Sequence, residues 1–150
     1  MMKISEALNQ DEVSRLALNT ISIGDVYEIT MTEANGITPK AGDSSRDKYF
    51  IVLGFDSNGT VYGGVIINSR INSHLPPYLK MYHMPIRKAK YPFLRYDSFV
   101  DCVRLKIASP YNFNHWQHLG KIDEYDISLI IGTIKESPVE NAAKLASFGL

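Results

Sequence analysis

The chain has one cysteine, Cys102, in 150 residues. That excludes an internal disulfide framework and any multi-cysteine zinc site. No apolar run approaches the roughly 20 residues needed to cross a bilayer as a helix. The first residues, MMKISEALNQDEV, carry acids early and lack an apolar core, so they do not read as a secretory signal. Internal repeats, low-complexity tracts and an inter-domain linker are also missing. These absences predict a cytoplasmic single domain over 1–150 with no membrane segment.

What is present fits an ordinary globular protein, with 45% hydrophobic and 21% charged residues. The formal net charge is zero, yet the charge is unevenly placed. Residues 1–36 hold two bases and six acids, residues 37–109 eleven bases and five acids, and residues 110–150 three bases and five acids. A basic middle suits a phosphate-bearing partner. A solvated surface with scattered lysines is the plainer alternative.

The centre of that basic middle is a predicted β-hairpin. Tyr49–Phe55 and Thr60–Ser69 are two apolar runs separated by Asp56-Ser57-Asn58-Gly59. An Asn-Gly step between such runs is the strongest short-range hairpin signal. Both runs are apolar on both faces, which predicts a position covered on two sides. Arg46, Asp47 and Lys48 enter the hairpin; Asn68, Ser69 and Arg70 leave it. Antiparallel pairing brings those polar ends together.

Around the hairpin, residues 3–19 show helical spacing in Ile4, Ala7, Leu8 and again in Val13, Leu16, Ala17. Gly24–Thr30 alternates as a strand, and a polar loop runs from Thr32 to Ser45. Leu79–Ile86 reads as a strand, and residues 87–92, RKAKYP, as exposed basic chain. Phe99–Ile107 alternates, with Phe99, Asp101, Val103, Leu105 and Ile107 on one face and Val100, Cys102, Arg104 and Lys106 on the other. A helical turn is expected over Asn114–Leu119, ending at Gly120. Asp123 caps a helix whose apolar stripe is Ile127, Ile130, Ile131 and Ile134. Ser137-Pro138-Val139-Glu140 reads as a capping box opening a last helix to Phe148. The pattern predicts an α+β, mainly β fold of five or six antiparallel strands forming a small curved sheet or barrel, with flanking helices.

The order of these pieces resembles the MazF/PemK-like toxin family. The residues that carry the resemblance are GDVYEI, a Gly/Ser-rich loop, Arg46 before KYFIVLG, a strand ending in IINS, DSFVDCVRL, and HLGKID before a helix. It covers roughly Ile23 to Lys135. It implies an SH3-like barrel core over 23–135, an additional N-terminal helical extension over 1–22 and a C-terminal helix over 136–150. It also implies a metal-independent, cofactor-free endoribonuclease of a toxin–antitoxin pair. Such a protein would act as a homodimer on single-stranded RNA and be inhibited by a cognate antitoxin. The alternative is an inactive barrel of this type that binds nucleic acid or a protein partner.

The resemblance assigns the catalytic places to Arg46 and Ser69. The family's Arg-Pro step is replaced by Arg46-Asp47-Lys48, so Lys48 can share the role of Arg46, and Asn68 is the alternative to Ser69. An arginine fork suits two phosphate oxygens, and a serine hydroxyl can add a hydrogen bond. Apart from the family, Arg46 reads as a strand-edge residue paired with Asp43 or Asp47, and Ser69 as a turn residue. Lys40, Lys48, Asn68, Arg70, Asn72 and His74 are placed as RNA-contacting residues. Tyr49 or Tyr78 would stack on a base. His115 and His118 are spaced i, i+3 but show no third or fourth metal ligand. Cys102 reads as a packing residue and His83 as a strand histidine near the basic groove.

Overall fold

The structure, a computed structural model, describes residues 21–113 and 116–150. The helices expected within residues 3–19, and His115, lie outside the described residues. The Asn58-Gly59 turn joins β2 (Arg46–Phe55) to β3 (Tyr62–Asn68). The Asp56 carboxylate closes it by accepting from the N–H groups of Thr60 (2.7 Å) and Val61 (3.1 Å). Gly59 supplies its positive φ of 67°.

Four more strands complete one antiparallel sheet: β1 (Asp25–Met31), β4 (His83–Ile86), β5 (Ser98–Ala108) and β6 (Gln117–Lys121). Their order is β4-β5-β3-β2-β1-β6. The hydrogen-bonded order ends at β4 and β6, so the sheet is not closed into a barrel. The helices are a single turn α1 (Pro77–Lys80), the longer α2 (Glu124–Glu136) and α3 (Ala142–Ser147). The fold is therefore α+β with a six-stranded antiparallel sheet.

The central strands are buried on both faces, as their continuous apolar runs require. On the helical face, Ile51, Leu53, Val65, Ile67, Val100 and Cys102 pack with Ile127, Ile130 and Ile134 of α2 and with Leu145 and Phe148. On the other face, Tyr27, Ile29, Met31, Phe50, Val52, Tyr62 and Ile66 pack with Ile21, Ile37 and Phe113. α2 starts where the sequence predicts, with the Asp123 carboxylate accepting from the Asp126 N–H at 2.7 Å.

Four expectations are corrected. Leu79 and Lys80 belong to the turn of α1 rather than to a strand, because Pro77 sits at its first position; β4 begins only at His83. Tyr91 leaves the exposed basic stretch and is buried; its hydroxyl donates to Asp126 Oδ2 (2.6 Å) and accepts from the Asp123 N–H. Residues 117–121 form β6, pairing with β1, so Gly120 ends no helix.

The fourth correction concerns β5 and the last helix together. Ile66 pairs with Asp101, whereas Gly64 pairs with Lys106, so a bulge interrupts the alternation of β5. Cys102 and Leu105 then share the helical face, while Lys106 turns to the other. The polar groups released by the bulge recruit the supposed capping box. Ser137 Oγ donates to the Val103 carbonyl (2.6 Å), and Glu140 Oε2 accepts from the Leu105 N–H. The last helix consequently starts four residues later, with Asn141 accepting from the N–H groups of Ala143 and Lys144.

Candidate functional site

Register builds a polar group on the face opposite α2. Along β2, Phe50 and Val52 face that side, so Lys48 and Arg46 follow them. Lys48 lies opposite Ile29, and Arg46 opposite Met31. Across β3, Ile66 faces the same way and Asn68 continues the row. Ile66 pairs with Asp101, and Asp101 pairs with His83. The bulge adds Lys106, whose stem runs over Gly36 at the end of a short 3-10 turn (Glu33–Asn35).

The innermost of these contacts is Lys48 Nζ donating to Asn68 Oδ1 at 2.5 Å. Lys48 is 9% exposed and Lys106 8% exposed. Burial pushes the Lys48 ammonium down to about 8; Arg46 and Lys106 add to the fall, and Asp101 opposes it. Lys106 is also held below the ordinary lysine range, chiefly by burial, with Lys144 and Arg104 contributing and Asp101 opposing. Among the described residues neither ammonium lies within 4.0 Å of a carboxylate.

Asp101 is the acid of the group. Its Oδ1 accepts from the Val103 N–H at 3.0 Å and lies 3.8 Å from His83 Nε2. His83 Nδ1 lies 3.2 Å from both the Leu79 and Lys80 carbonyls. The His83 side chain is only 2% exposed and lies beside Asp101 on the same face, at the β4 edge.

The sequence-predicted residues divide clearly. Arg46, Lys48 and Asn68 share this face. Ser69 lies one residue past β3 and is exposed; no hydrogen bond joins it to Arg46 among the described residues. The alternatives to the Arg46–Ser69 pair, Lys48 and Asn68, are the two in direct contact. Arg46 makes no ion pair with Asp43 or Asp47 among the described residues; Asp47 instead accepts from Thr30 Oγ1 at 2.8 Å. Lys40, Arg70, Asn72 and His74 are exposed loop residues, and Asn72 Oδ1 accepts from the His74 N–H. Tyr78 is exposed on α1, whereas Tyr49 is half-buried against Phe93. His118, on β6, stands 3.6 Å from Asp25 Oδ1 and packs on the Tyr27 ring. Cys102 is buried, with its thiol pushed up to about 12 by burial.

Sequence reasoning missed Lys106 and Asp101 as members of this group. Strict alternation puts Lys106 with Cys102, and only the β5 bulge separates them. The signal in the sequence was a lysine flanked by Leu105 and Ile107 within a strand, which requires a polar destination.

Among the described residues no three His, Cys, Asp or Glu side chains gather as a metal site. No described helix is long and apolar enough to cross a membrane. No protein-family model matches the chain, and no curated protein matches it.

Proposed function

We propose that the chain binds single-stranded RNA along the face of Arg46, Lys48 and Asn68 and cleaves it without a metal, in the manner of MazF/PemK-like toxins. The observation that carries this reading is the convergence of Arg46, Lys48 and Asn68 at the open end of the central hairpin. The six-stranded antiparallel sheet is consistent with an open version of the SH3-like barrel.

The chemistry follows from the donors. The 2′-hydroxyl gives up its proton and attacks the adjacent phosphorus, and negative charge grows on the phosphorane oxygens. The bond to the 5′-oxygen breaks as that oxygen takes up a proton, leaving a 2′,3′-cyclic phosphate and a 5′-hydroxyl. Arg46 supplies a permanently charged fork for two of the phosphorane oxygens. Lys48, held at about 8, can exchange a proton near neutral pH, which an arginine cannot. Asn68 fixes the Lys48 ammonium by accepting from it. This reading shifts the second role from Ser69 towards Lys48 and Asn68. As in the toxins, the protein would act as a cytoplasmic homodimer restrained by an antitoxin.

The test is cleavage of a single-stranded RNA in EDTA by the wild type and by Arg46→Ala. Absence of cleavage by the wild type, or equal cleavage by the variant, removes the nuclease reading. The exposed position of Ser69 past the strand favours a second reading, an inactive barrel that binds RNA without turnover. Salt-sensitive RNA binding by a protein that leaves the RNA intact would identify it.

A further inference from the structure

We propose that the cleft between two short 3-10 turns binds a planar, uncharged heterocycle carrying an amino group, of the adenine or cytosine kind. None of Arg46, Lys48 and Asn68 lines this cleft, so the site goes beyond the reading above and requires no cleavage.

The cleft has a volume of about 350 Å³, at the lower end of the range of small-molecule sites. One wall is Thr30, Thr32 and Asn35, from the end of β1 and the turn Glu33–Asn35. The other is Ser109, Tyr111 and Asn112, from the chain just past β5 and the turn Pro110–Phe113. A reciprocal amide pair joins the walls. Asn35 Nδ2 donates to Asn112 Oδ1 at 3.0 Å, and Asn112 Nδ2 donates to Asn35 Oδ1 at 3.1 Å. The second hydrogen of each amide goes to a carbonyl, that of Ile107 (2.8 Å) for Asn35 and that of Thr30 (2.9 Å) for Asn112. The cleft is therefore preformed, which lowers the entropic cost of binding.

The hydrogen-bond inventory sets the ligand. Thr30 Oγ1 donates to Asp47 Oδ1, Thr32 Oγ1 to Asn35 Oδ1 and Ser109 Oγ to Asn112 Oδ1. With both asparagine NH₂ groups engaged as well, these side chains have no donor left, while the three hydroxyl oxygens keep lone pairs. The ligand must therefore bring N–H groups to acceptors. Among the described residues no charged side chain lines the cleft, so an ionic ligand would lose water without gaining a counter-charge. Tyr111 is 74% exposed, and its ring has a free face for stacking. A flat, neutral ring with an exocyclic amino group meets all three conditions.

The experiment uses the full chain. Adenosine, cytidine, uridine and dimethyladenosine (methyl groups in place of both amino hydrogens) are titrated separately. Binding is read from the side-chain amide signals of Asn35 and Asn112 in NMR. Adenosine and cytidine should give saturable shifts. Dimethyladenosine keeps the ring but loses the donor, and uridine has a carbonyl where cytidine has the amino group. Each should bind about three- to tenfold more weakly than its amino counterpart, the scale of one hydrogen bond. Tyr111→Ala should bind adenosine at least about fivefold more weakly through lost stacking, whereas Tyr111→Phe should match the wild type. An oligonucleotide of adenosines separates two sources of the same ring. Tighter binding than adenosine, weakened by Arg46→Ala, assigns the cleft to a base of a strand; binding no tighter than adenosine and indifferent to Arg46→Ala assigns it to a free nucleoside. Both outcomes support the site. Absence of saturable shifts with every nucleoside, equal binding within both the adenosine and the cytidine pairs, or undiminished binding by Tyr111→Ala overturns it. A chain that binds adenosine but cuts no RNA loses the nuclease reading and keeps this cleft.

Discussion

Lys48 Nζ lies 2.5 Å from Asn68 Oδ1, a contact that ties the two open ends of the central hairpin on the face that also carries Arg46.

On the nuclease reading, Arg46→Ala should lower RNA cleavage about 100-fold or more, the scale of one lost oxyanion donor. Arg46→Lys should recover little, because a point charge cannot replace the bidentate fork. Lys48→Ala should flatten the dependence of rate on pH between 7 and 9, whereas Ser69→Ala should leave that profile in place. The check is a pH–rate series on a single RNA substrate, and an unchanged profile in Lys48→Ala would exclude Lys48 from proton transfer.

Lys48 also predicts an alkaline stability signature. Its folded value of about 8 lies below its ordinary 10.5. Between those values the unfolded chain binds more protons, so this residue's contribution favours folding increasingly as pH rises. The full effect is at most roughly 3.4 kcal/mol and is reduced by solvent screening. Cys102 acts oppositely, because its thiol is raised from 9.0 to about 12 and its stabilisation fades as pH rises above 9. Tyr62, raised from 10.0 to about 12, behaves likewise above 10. The measurement is therefore the difference in unfolding free energy between wild type and Lys48→Met from pH 7.5 to 10. That difference should move in favour of the wild type.

The β5 bulge depends on the loop before α3. Glu140→Ala leaves the Leu105 N–H and the Lys144 ammonium without their carboxylate and should cost about 2–3 kcal/mol. Burial works to raise the Glu140 carboxyl, but the N–H groups of Asn141 and Leu105, with Lys144, outweigh it and hold it below its ordinary 4.5. Its contribution is thus present above that value and lost as pH falls through the folded value. Chemical unfolding at pH 7 and pH 3 should show a smaller gap between wild type and variant at the lower pH.

Gly64 is expected to tolerate no side chain. A Cβ there would run into the Ile51 carbonyl and the Phe50 ring. Gly64→Ala should cost about 3 kcal/mol or more, or abolish folding, as read by circular dichroism. Gly132→Ala is the control: it lies on α2 with open space around it and should be neutral or slightly stabilising.

Tyr91→Phe should cost about 1–2 kcal/mol, since it removes the hydroxyl that bridges Asp126 and the Asp123 N–H at the start of α2. Thermal unfolding would show a lowered midpoint without loss of the sheet.

The elements readable in the sequence are those whose determinants are local. Asn58-Gly59 sets the turn because few residues accept positive φ. The isoleucine spacing and the Asp123 cap set α2 because a helix bonds within itself. The apolar runs of β2 and β3 state that both faces are covered. Arg46 and Lys48 could be placed on one face by period-two alternation alone.

Tertiary structure decided the rest. Alternation along β5 gives one answer for Lys106, and the bulge gives the other. That bulge lies in the pairing of β5 with β3, between Asp101 and Lys106, where Ser137 and Glu140 from the end of the chain take the hydrogen bonds of Val103 and Leu105. Likewise, Ser137 and Glu140 carry a valid capping pattern, but the unpaired backbone of a strand more than thirty residues away takes their hydrogen bonds. Local sequence encodes periods and caps; the side chains that gather around Lys48 are set by register between distant strands, which only the packed sheet can fix.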